Sequence, residues 1–122
     1  MIEFEELYQE GKENAQKRER KLRKRLARRL YKKAVRRLRK ELKKGNSSIS
    51  VWAVDPRSVW VELGLNKTEE VAYAVGRLLA TKHPGISYEI EQADWHYLDF
   101  ADDIVKVTAV LVTLMYEPSK NK

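Results

Sequence analysis

Residues 48–65 read SISVWAVDPRSVWVELGL, and the fold turns on how many strands they hold. Two runs rich in Val, Ile and Trp flank Asp55-Pro56-Arg57-Ser58, where Pro at the second position suits a type I turn. Strand-forming runs on both sides of such a turn predict a β-hairpin. In the first run Ile49, Val51 and Ala53 share one face, while Trp52 and Val54 share the other. Trp52 and Trp60 are then expected on opposite faces, as packing residues and not as a joint platform for stacking bases.

Downstream, a helix is expected to start at Asn66 or Thr68, with Glu69 and Glu70 in its first turn. Val71, Ala74, Val75, Leu78 and Leu79 recur at helical spacing, and His83-Pro84-Gly85 ends the pattern. An imidazolium at His83 suits a helix C-terminus, a structural role. Ile86, Tyr88 and Ile90 alternate with Ser87, Glu89 and Glu91, as in a strand with one wet face. Residues 104–116, IVKVTAVLVTLMY, form a further strand whose second half is apolar on both faces. Two hairpins and one helix predict an α+β fold: ββαββ, a four-stranded antiparallel sheet with that helix on one face. With both faces apolar, a second cover is expected, either the N-terminal helix or another copy of the chain.

Upstream of this sheet the charge is very uneven. Residues 1–11 carry four Glu and no Lys or Arg, for −4. Residues 12–44 carry 18 Lys and Arg against Glu13, Glu19 and Glu41, for +15. Residues 45–122 carry 7 basic and 11 acidic residues, so the net charge of +7 conceals a mildly acidic sheet behind a very basic segment. The division expected is 1–44, an acidic N-terminus and a long basic amphipathic helix, and 45–122, the ββαββ domain. Gly45-Asn46 reads as the helix C-cap and hinge.

Within KRERKLRKRLARRLYKKAVRRLRKELKK, residues 17–44, a helical wheel separates two halves. Leu26, Ala27, Leu30, Tyr31, Ala34, Val35, Leu38 and Leu42 gather on one. Arg25, Arg28, Arg29, Lys32, Lys33, Arg36, Arg37, Arg39 and Lys40 gather on the other. A face so one-sided in charge repels itself, and a phosphate backbone relieves that repulsion while releasing counterions. Guanidinium forks suit phosphate, and the face lacks the Asn and Gln that read adenine. The chemistry therefore points to sequence-independent binding of DNA or RNA, with those nine residues as phosphate contacts.

Other chemistry finds little support. There is no Cys, which excludes disulfides, cysteine-held zinc and thiol catalysis. Ser47, Ser48 and Ser50 have no partner to activate them, and no phosphate-binding glycine loop or HExxH is present. The expectation is a non-enzyme without cofactor or metal. No run is long and apolar enough to span a bilayer, and the acidic start lacks the order of a signal peptide, so the cytoplasm is the expected location. Residues 94–103, DWHYLDFADD, read as an acidic, aromatic connection between strands. Asp94, Trp95, His96, Tyr97, Asp99 and Phe100 are its candidate protein contacts. They support a rival reading, an inhibitor or adaptor of a nucleoprotein machine, such as the anti-CRISPR type carried by phages and other mobile elements. A third reading is a structural module in which the helix builds an oligomer such as a homodimer.

Overall fold

The computed structural model describes residues 2–55 and 63–118. Five elements follow in chain order: α1 (Ile2–Lys43), β1 (Ser48–Trp52), α2 (Leu65–Lys82), β2 (Ile86–Leu98) and β3 (Ile104–Tyr116). The strands form one antiparallel sheet in the order β1-β3-β2. Its central strand is the most apolar one, as burial on both sides of the ladder requires. Val110, Val112 and Leu114 of β3 meet Ile49 and Val51 of β1 in a core that also holds Val71, Val75 and Leu79 of α2.

The four-stranded sheet expected from the sequence is therefore corrected to three strands among the described residues. β1 pairs with β3, Ile49 opposite Leu114 and Val51 opposite Val112, at the far end of the chain. On its other edge, Lys33 Nζ donates to the Trp52 carbonyl at 3.1 Å and an Arg37 guanidinium NH donates to the Ser50 carbonyl at 3.2 Å. Cationic side chains thus occupy the edge where a hairpin partner would lie, which also protects it from pairing with other chains. The turn expected at Asp55–Ser58 and the strand after it fall largely on 56–62, outside the described residues. Local pattern favoured a neighbour in sequence; burial of β1 against the most apolar strand favoured a distant one.

α1 is continuous over 42 residues, about 63 Å at 1.5 Å per residue. Glu3 and Glu5 lie in its first turn and Lys40 and Lys43 in its last, the arrangement that suits its dipole. Gly45, at φ +92°, provides the expected stop. Leu30, Ala34 and Leu38 enter the common core, and Leu22, Leu26, Ala27, Tyr31 and Val35 pack around it. α1 lies beside α2, on the same side of the sheet, and over the β1 edge. It does not supply the second cover. Trp52, Ala93, Trp95, Tyr97, Val107 and Leu111 fall on the opposite face by register and are half-buried.

α2 starts one residue before Asn66, from Gly64, whose carbonyl accepts both the Thr68 backbone NH at 3.1 Å and its hydroxyl at 2.7 Å. Val71, Val75 and Leu79 of the expected face are buried, but Ala74 and Leu78 are exposed, and Ala72 and Gly76 are buried in their place. The Tyr88 ring lies over Gly76, where a Cβ would stand 2.6 Å from Tyr88 Cδ2. Glycine there allows helix and sheet to approach closely.

Candidate nucleic-acid interface

The basic surface follows from which side of α1 the core takes. Burying Leu30, Ala34 and Leu38 turns the opposite side outward. Arg25, Arg28, Arg29, Lys32, Arg36, Arg39 and Lys40 are exposed there, and among the described residues none of them is ion-paired. Arg18, Lys21 and Lys43 extend the same ridge at helical spacing and are exposed too. Extending the wheel beyond 26–42 finds them, because the repeat of three and four residues continues in both directions. From Arg18 to Lys43 the ridge runs about 38 Å.

Lys33 and Arg37 have a different setting. They sit where the ridge meets the sheet and donate to β1 carbonyls. Burial, reinforced by the nearby Arg37 charge, pushes the Lys33 ammonium below its usual pKa. The geometry makes Lys33 first an edge cap; Arg37 caps the edge while remaining exposed. The wheel could not separate them from the rest, since their partners lie 13 or more residues away in β1.

Polar contacts fix the orientation of α1 against α2. Arg23 pairs with Glu70 at 3.0 Å, and Lys67 pairs with Glu19. The Glu19 carboxyl is held below its usual pKa, first by its hydrogen bond to Lys67. Near the other end, the Tyr31 hydroxyl lies 3.2 Å from His83 Nε2, and the Lys82 ammonium stands over the Tyr31 ring, 5.6 Å from its centroid. The ridge is thus carried on a helix pinned between Glu19 and Arg37.

The residues at 94–103 do not form one loop. Residues 94–98 belong to β2, laddered to β3 through pairs such as Trp95 with Val107 and His96 with Lys106. Alternation sends Trp95 and Tyr97, stacked with centroids 5.6 Å apart, to the face away from the helices. Asp94 and His96 take the other face, where Asp94 accepts from the Thr108 hydroxyl at 2.9 Å. Asp99 accepts from the backbone NH groups of Ala101 and Asp103 and so shapes the turn, and Phe100 stands fully exposed at its tip. The six candidate protein contacts are therefore split among two sheet faces and a turn.

Among the described residues no group of three or more His, Asp or Glu side chains could hold a metal ion, and no helix is long and apolar enough to cross a membrane. No family model, curated protein or solved structure matches the chain.

Proposed function

We propose that the protein binds nucleic acid through the phosphate backbone, with the outward ridge of α1 as its interface. The observation that carries this reading is the ridge itself: Arg25, Arg28, Arg29, Lys32, Arg36, Arg39 and Lys40 exposed together, unpaired, on a helix whose other side is packed. A solvated helix gains solubility at less repulsion from mixed signs, and a row of one sign stores repulsion that a polyanion removes. Duplex DNA carries one charge per about 1.7 Å of axis, so a 38 Å ridge passes on the order of 20 phosphate charges, of which one side is within reach. Contact is with phosphates, so the reading predicts little preference among sequences.

The test is a salt-dependent titration against a fluorescent 20-base-pair duplex and an RNA hairpin. Four or five neutralised phosphates give a log–log slope near −4. Arg25→Glu/Arg29→Glu/Arg36→Glu leaves the β1 edge contacts in place and should flatten the slope and abolish binding. Weak, salt-insensitive binding by the parent chain would overturn the reading and favour a protein partner instead.

A further inference from the structure

Beyond the domain, α1 continues as an arm that nothing in the fold explains. Every described side chain from Glu3 to Arg18 is exposed. Phe4, Leu7 and Tyr8 are 72%, 55% and 62% exposed. Their spacing of i, i+3 and i+4 puts them on one stripe, which Gly11, Ala15, Leu22 and Leu26 continue. At Leu22 and Leu26 that stripe is already packed against the core. The arm thus prolongs an established interface past the point where this chain can cover it.

Charge identifies what can cover it. Residues 1–16 carry five Glu and one Lys, and residues 17–44 carry 17 Lys and Arg against two Glu. These opposite charges lie on one continuous helix, so the acidic arm cannot fold back onto its own basic half. A second copy of the chain brings the complementary charge in the same register.

We infer that the chain dimerises through this arm, two copies of α1 packing antiparallel along the Phe4–Leu22 stripe. A register that sets Gly11 against the partner's Ala15 also sets Phe4 against the partner's Leu22, since each pair of numbers then has the same sum. The small residues at the centre let the two helices approach closely. At each end Phe4 enters a pocket at the base of the arm, lined by Ala15, Arg18, Glu19, Leu22, Leu63 and Lys67. At the edge of the stripe, Glu3 comes beside Lys21 of the other copy. A parallel pair would instead align acid with acid and base with base, so charge selects the antiparallel, closed arrangement.

The chain contains no cysteine, which makes the register directly testable. Sedimentation of the full chain between about 1 and 200 μM should show a monomer–dimer equilibrium in the micromolar range. It should weaken at least tenfold in Phe4→Ser/Tyr8→Ser, and also weaken with added salt. Mixed Glu3→Cys and Lys21→Cys chains should cross-link to each other on mild oxidation in preference to themselves. A monomer at every concentration overturns the inference. So does a dimer that survives Phe4→Ser/Tyr8→Ser but is lost in Trp95→Ser, which would assign the contact to the outer sheet face. Preferential Glu3→Cys self-cross-linking would show a parallel pair and overturn it as well.

Discussion

Leu30 and Leu42 belong to the same apolar half of the basic helix, yet truncating them should have very different costs. Leu30 is 1% exposed in the core that α1 shares with α2 and the sheet, whereas Leu42 is 38% exposed near the helix end. Leu30→Ala removes buried methyl groups and leaves a cavity in the common core, for a loss of about 2–5 kcal/mol. Leu42→Ala removes area that is partly wet already and gains slightly in helix propensity, so its cost should stay below about 1 kcal/mol. For a domain of this size 1 kcal/mol corresponds to roughly 4 °C in Tm, which places Leu30→Ala about 8–20 °C below the parent. Urea unfolding followed by tryptophan fluorescence, at low protein concentration, measures both variants against the parent. Equal costs within about 0.5 kcal/mol would refute the placement of α1 in the common core, since a free-standing helix would not distinguish the two positions.

Three further outcomes follow from particular contacts. Gly76→Ala drives a methyl into the Tyr88 ring and should cost about 1–3 kcal/mol by the same unfolding assay, with relief in Gly76→Ala/Tyr88→Ala. Asp99→Ala removes the acceptor for two backbone NH groups and should raise amide hydrogen exchange at 99–103 and the adjoining strand ends, while the core amides keep their protection. The Glu19 carboxyl has a folded pKa below its unfolded one, so its contribution is fully present above the unfolded value and is lost as pH falls through the folded one. Glu19→Gln should accordingly lower stability at neutral pH and flatten the acid limb of the stability–pH curve; an unchanged acid limb would remove Glu19 from that account.

Local periodicity carries the parts of this protein that one stretch of chain decides alone. The apolar half of residues 26–42 names Leu30, Ala34 and Leu38 before any partner is known, because a helix buries every third or fourth residue whatever it packs on. The strand at 104–116 and the helix through Val71, Val75 and Leu79 are legible for the same reason. So is the basic ridge: once the apolar side is buried, its opposite side must face water.

Tertiary structure decided the rest, wherever the partner lies far along the chain. Nothing within residues 48–65 says that Ile49 and Val51 will pair with Leu114 and Val112, at the far end of the chain. Residues 92–98 alternate Ala93, Trp95 and Tyr97 with polar residues in the opposite phase to Ile86, Tyr88 and Ile90, and one strand carries both phases because β3 offers a continuous ladder to hold them. Lys33 and Arg37 look like their neighbours on the wheel until β1 brings its free carbonyls beside them. Period and charge are properties of a segment, and a hydrogen-bond or packing partner is a property of the fold; only the second could tell an edge cap from a member of the ridge.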